Sequence, residues 1–159
     1  MLTTINKKNF SNNKTIDILN KKYYRLHKSD KSKIQKVLIK INDNAYITPH
    51  YHKKDEMIVI LEGLCGVITF DSKGNKNDFF IISSDKYNKK NKYHFGYQIK
   101  AKLCHTLISL SKESVLLEIK NGPFIEKTNK FIPKWSPKEK TLDSKILFNT
   151  LKSQLREKL

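Results

Sequence analysis

His50, Tyr51 and His52 set two imidazoles one residue apart. Side chains alternate along an extended strand, so both rings project from one face and can grip a single ion without distorting the backbone. Glu56 follows four residues after His52 and adds a carboxylate if the chain turns slightly in between. His105 lies far along the chain and must arrive from another strand. Three imidazoles and a carboxylate suit one divalent transition metal (Fe, Mn, Ni or Zn) better than Ca or Mg, which take oxygen ligands. Held by His50, His52, Glu56 and His105, such an ion keeps coordination positions open. It can then polarise a carbonyl or vicinal diol, acidify a bound water or, as Fe(II), activate oxygen. The residues themselves do not choose among these reactions.

Other groups bear on the same chemistry. Glu118 interrupts an apolar strand, Val115-Leu116-Leu117-Glu118-Ile119. Facing inward, it would be suited to general acid/base catalysis by a burial-raised pKa; facing outward, it would merely pair with lysine. Tyr46, four positions before His50, shares its strand face and is expected near the ligands. Lys120 shares the parity of Glu118 and could meet a phosphate. Trp135, in a Pro-flanked loop, either stacks on a sugar ring or plugs an open end of the fold, the plug being favoured.

The elements that must carry these residues read as short strands. Val37, Ile39 and Ile41 alternate with Lys36, Leu38 and Lys40, and a second strand is expected from Ala45 to His52. Met57 to Leu61 is a continuous apolar run, expected to be buried on both faces. Leu64 to Phe70, the turn Asp71-Ser72-Lys73-Gly74-Asn75, Phe79 to Ser83, Gly96 to Lys100, His105 to Leu110 and Val115 to Lys120 follow. Strands at this spacing indicate a sandwich or barrel. Ser11-Asn12-Asn13 is expected to cap a short helix through Leu19. Leu142, Ile146, Leu151, Leu155 and Leu159 mark a C-terminal helix, packed either on its own domain or on a second copy. The expected division is an N-terminal segment over 1–33, a β domain over 34–140 and a helix over 141–159.

Composition narrows the class. A chain of 159 residues suits one domain, and no run of eighteen apolar residues is present to cross a membrane. The first residues lack the order of a secretory signal, and Cys65 and Cys104 have no CxxC spacing. From these features a cytoplasmic chain with reduced cysteines is expected. The net charge of +17 raises nucleic acid as a partner. Only Arg25 and Arg156 are arginines, however, and the lysines form no stripe, so no specific nucleic-acid recognition is expected.

The span from His50 through His52 and Glu56 to Gly63 resembles the first conserved motif of the cupin superfamily, with His105 where the second motif needs its His. Lys100, Lys102 and Ser109 depart from that second motif. Arg25-Leu26-His27, Tyr46 to His52, Glu56 to Gly63, Glu118 to Phe124 and Trp135-Ser136-Pro137 look like successive blocks of the WbuC family, over Arg25 to Glu139. The resemblance implies an all-β fold, a small antiparallel β-barrel or jelly roll (cupin) with short N-terminal and C-terminal helices. It makes His50, His52, Glu56 and His105 the metal ligands and adds His27 to Glu118 and Tyr46 as candidate catalytic groups. It implies a role in surface-polysaccharide (O-antigen or capsule) synthesis on a sugar-like or nucleotide-sugar metabolite. An isomerase, epimerase or dioxygenase-type activity would fit. So would a non-catalytic protein that binds a small ligand as a sensor or accessory. A homodimer is expected, since cupins commonly pair.

Overall fold

The computed structural model describes residues 4–11, 14–90 and 92–159. Among the described residues, nine strands form two antiparallel sheets. β1 (Ile16–Ile18), β2 (Lys21–Arg25), β3 (Ile34–Asn42), β9 (Glu113–Asn121), β4 (Glu56–Glu62) and β7 (Gly96–Ile99) make the larger sheet in that order. β6 (Lys76–Ser83), β5 (Leu64–Phe70) and β8 (Cys104–Ser109) make the smaller. The helices α1 (Glu126–Asn129) and α2 (Leu142–Arg156) follow.

The central core lies between the sheets. Ile39, Ile41, Ile58, Ile60 and Leu116 from the larger sheet meet Cys65, Val67, Ile82 and Leu107 from the smaller. The alternation read along β3 is real, but Leu38 is buried too, under Phe10 and Val115 on the opposite face. β5 is buried along its whole length because its second face carries α2, through Leu151 and Leu155. The C-terminal helix therefore packs on its own chain. Leu142 and Ile146, expected in its apolar stripe, are exposed, and Leu147 and Phe148 face the sheet instead.

Three expectations need correction. Ala45 to His52 forms no ladder; it touches the sheets only through single bridges, His50 to His105 and Tyr51 to Phe131. β4 is not buried on both faces, since Met57 and Leu61 are exposed. The N-terminal helix is displaced. A short 3-10 turn covers Lys7–Ser11, while Ile16–Ile18 is strand β1. Residues 12 and 13 of the expected cap lie outside the described residues. β1 turns into β2 through Leu19 and Asn20, both in the left-handed region at φ 47° and 66°. Trp135 is half-buried and packs with the cluster on the outer face of the smaller sheet. It lies over the β5–β6 turn, 5.1 Å from the Phe70 ring, so close to Gly74 that a Cβ there would come within 2.8 Å.

The fold thus brings the ends of β3, β9 and β4, the 45–52 segment and the start of β8 into one region. Glu118 is the partner of both Val37 and Ile58 in register, and Lys120 of both Gln35 and Glu56. Partners directly opposite share a face. Val37 and Ile58 face the central core, so Glu118, Lys120, Gln35 and Glu56 do as well.

Candidate metal centre

His50 and His105 are set opposite each other by a closed pair of main-chain bonds. His50 N–H donates to the His105 carbonyl at 3.0 Å, and His105 N–H returns to the His50 carbonyl at 2.8 Å. His52 joins them by strand alternation, and its ring centroid lies 4.9 Å from that of His50 and 5.7 Å from that of His105. Ligand atoms of the three imidazoles lie within 4.8 Å of one another, and all three residues are buried. The cluster can hold one divalent metal ion.

The outer nitrogens explain why. Nδ1 of His50 faces the Thr48 carbonyl at 2.8 Å, Nδ1 of His105 faces the Leu103 carbonyl at 3.2 Å, and Nδ1 of His52 bonds the Asn129 carbonyl. A carbonyl only accepts, so each Nδ1 carries the hydrogen, and a neutral ring then presents a lone pair at Nε2. Main-chain carbonyls fix the tautomer that metal-binding histidines require.

Glu56 completes the constellation. It is 2% exposed, with Oε2 3.1 Å from His52 Nε2 and Oε1 3.5 Å from His105 Nε2. His105 Nε2 and Glu56 Oε2 are buried without a hydrogen-bond partner among the described residues. Lone pairs on nitrogen and carboxylate that face each other repel unless a cation or a proton stands between them. The donor set therefore fits a metal, with borderline nitrogen ligands and one hard oxygen.

The electrostatics favour the ligand forms. Burial, then the positive charge of Lys130, then His105 and His52, hold His50 well below its usual value of 6.5. Burial opposes ionisation of Glu56, but interactions with His105 and His52 outweigh it and keep the carboxyl well below 4.5. Neutral imidazole and carboxylate are the states that bind metal. The thiols take no part: both cysteines are buried and free, each pushed by burial to about 12.

The expected catalytic groups fall in different places. Glu118 points inward, as one reading of its strand allowed, but it has a cationic partner: Lys120 Nζ lies 2.8 Å away and 3.8 Å from Glu56. Tyr46 turns toward the C-terminal segment. Its hydroxyl donates to the Pro137 carbonyl at 3.0 Å, its ring edge meets Phe148, and burial raises its pKa to about 12. His27 sits at the end of the β2–β3 ladder, where Lys36 N–H donates to its Nδ1 at 3.1 Å. Neither Tyr46 nor His27 belongs to the converging group.

Several residues here escaped the sequence reading. Tyr97, half-buried on β7, has a buried hydroxyl with no hydrogen-bond partner among the described residues, and burial, then Glu56 and Glu118, drive its pKa far above the usual 10. Lys21, 4% exposed, donates to the Tyr46 carbonyl at 2.9 Å and pairs with Glu139 at 2.7 Å. Lys130, open to solvent yet crowded by surrounding atoms, is lowered to about 8 by burial and then by Lys21. Parity along β7 could have found Tyr97. Lys21 needed β2, which shows no apolar alternation.

Comparison with known proteins places the fold. Residues 20–82 match a family model described as a domain of unknown function, DUF6016. That stretch includes His50, His52 and Glu56 but not His105. No curated protein matches the sequence. Among solved structures, oxalate decarboxylase from Lactobacillus farciminis, in its formate complex, is similar at TM-score 0.58 and 16% identity, over 82% of this chain and 37% of that one. Oxalate decarboxylase from Bacillus subtilis gives TM-score 0.59 and 16% identity, over 78% and 31%. KdgF from a Halomonas species gives 0.52 and 16%, over 71% and 88%. The chain thus spans about a third of the length of the decarboxylases. The likeness shows a cupin-type antiparallel β fold.

Proposed function

We propose that this protein is a metal-dependent cupin enzyme acting on a small polar metabolite. One observation carries the reading: three buried imidazoles, each fixed through Nδ1 by a main-chain carbonyl, bring ligand atoms within 4.8 Å of one another, and Nε2 of His52 and of His105 faces Glu56. His50, His52 and His105 hold the ion and Glu56 supplies the fourth ligand. A bound divalent ion would supply Lewis acidity toward a carbonyl or diol, or a more acidic water. Glu118 and Lys120, beside Glu56, are the groups placed to exchange a proton with substrate or to orient it. Tyr97 lies within electrostatic reach of both carboxylates and is the better tyrosine candidate for that role than Tyr46.

The finer reading rests on the resemblance to the WbuC family. It makes the metabolite sugar-like or a nucleotide sugar, the setting surface-polysaccharide synthesis, and the reaction an isomerisation or epimerisation. Purified protein should carry about one transition-metal ion per chain, lost when His50 and His52 are both replaced by Ala. Turnover within a panel of nucleotide sugars and keto acids should disappear in Glu56→Gln and His105→Ala. Metal content unchanged in the double variant would overturn the site, and turnover unchanged in the latter two would overturn its catalytic use.

A further inference from the structure

A cavity of about 200 Å³ adjoins the cluster at His52. It lies between the ends of β3 and β9 and the segment running through Phe124 to Asn129. That is room for roughly half a dozen waters, or for a ligand of similar bulk. Its charged lining residues are Lys53, Lys54 and Lys120, and no carboxylate lines it. In so lysine-rich a chain, a tally of lysines would mean little; their positions say more.

Lys120, its side chain 9% exposed, joins the cavity to the metal region, its charge shared with Glu118 at 2.8 Å and Glu56 at 3.8 Å. Lys54 is anchored at the rim, donating to the Pro123 carbonyl at 3.0 Å, and Lys53 lies over the Phe131 ring at 4.8 Å. Neither ammonium pairs with a carboxylate among the described residues, so both positive charges stand uncompensated beside the hollow. Gln35, 2% exposed, also lines it. The Gln35 amide nitrogen is spent on the Ser32 and Asp30 carbonyls at 2.8 and 3.2 Å, while Oε1 has no partner among the described residues. An unpaired buried acceptor costs free energy that a donor on a ligand would recover. A hollow walled by one sign of charge concentrates ions of the other.

We propose that this cavity binds the anionic group of a small molecule, a carboxylate or a phosphate, between Lys53, Lys54 and Lys120, with Gln35 Oε1 accepting a hydrogen bond from a neighbouring hydroxyl of the same ligand. Rested on the metal-centre reading, the remainder of that ligand reaches the histidines past His52. The site then selects small acids or phosphorylated metabolites over neutral sugars.

The test uses inorganic phosphate and malonate as probes, titrated at constant ionic strength and followed by nuclear magnetic resonance and calorimetry. It is run on chelator-stripped protein and again on metal-loaded protein. Saturable shifts are expected at the Gln35 side-chain amide and Asn121. The double variant Lys53→Gln/Lys54→Gln should weaken binding by about tenfold, and the control Lys73→Gln/Lys76→Gln should leave it unchanged. Binding of phosphate alone assigns a phosphoryl group, and of malonate alone a carboxylate. No saturation with either probe, or equal weakening in the control, overturns the proposal. Anion binding in stripped protein that never takes up metal would overturn the metal centre and leave the cavity standing.

Discussion

At the scale of single residues, protonation governs the candidate centre. The folded chain disfavours a proton on His50, through burial and then Lys130, whereas the unfolded chain binds one near 6.5. The unfolded state therefore holds more protons below that value, and stability falls with the pH until the folded pKa is passed. Glu56, depressed below 4.5, acts in the same direction: its contribution is present above that value and is lost as the pH falls through the folded pKa. Thermal melts of metal-free protein should thus drop in midpoint between pH 7 and 5, and His50→Gln should flatten the upper part of that slope. An unchanged slope would remove His50 as the responsible group. Metal affinity should decline over the same range, since protons compete for the same lone pairs. The carbonyl partners matter for orientation. Freeing a ligand histidine from such a partner typically weakens metal binding about 10–100-fold. The Asn129 carbonyl cannot be mutated directly. Thr128→Pro removes the Thr128 N–H that donates to the Ile125 carbonyl at 3.0 Å within the α1 turn, and should reproduce part of that loss in a metal-competition titration.

At the scale of elements, the docking of α2 on the smaller sheet depends on one close approach. Gly66 in the middle of β5 leaves the space that Leu155 fills, and a Cβ there would come 2.2 Å from both Leu155 methyls. Leu155 is completely buried. Leu155→Ala should cost about 2–5 kcal/mol in denaturant unfolding. Gly66→Ala should cost about 1–3 kcal/mol by overpacking. Combined, the two should cost less than their sum, because the added methyl enters the space the leucine leaves. Strict additivity would mean that the helix does not dock as described. The larger sheet makes a different demand on its glycines. At Gly96 a Cβ would lie 2.2 Å from the Ile58 carbonyl oxygen, main chain that no rotamer change can move. Gly96→Ala should therefore displace β7 and, with it, Tyr97.

At the scale of the whole molecule, charge is the dominant property. The formal net charge is +17, carried almost entirely by lysine. Such a surface attracts polyanions through screened, non-directional forces. Retention on DNA should be measurable at low salt, absent at physiological salt and indifferent to sequence. Sequence-dependent binding at physiological salt would overturn that reading. Among the described residues, no helix is long and apolar enough to cross a membrane. Lys21, a buried cation, ties β2 to the C-terminal segment through Glu139. Removing one partner strands the other, so Glu139→Gln should be more destabilising than any exposed lysine replacement. The same melts would show it.

By itself the sequence determined the ligand types and their local geometry. His-x-His forces two rings to one side, the alternation of β3 sets its inward face, and Asp71 to Asn75 closes a hairpin through Gly74 at φ 92°. These are short-range consequences of chain stereochemistry, and they needed no partner. The tertiary structure decided the rest. His105 meets His50 through a single bridge rather than a ladder, so no periodicity in residues 45–52 could announce it. The Asn129 carbonyl reaches His52 from 77 residues away. Glu118 could have faced either way until the register with Val37 and Ile58 set it inward, and only then did Lys120 become its partner and a wall of the neighbouring cavity. Parity assigns a residue to a face. Which face is inside, and which strand stands opposite, depends on contacts between distant segments that no local pattern encodes.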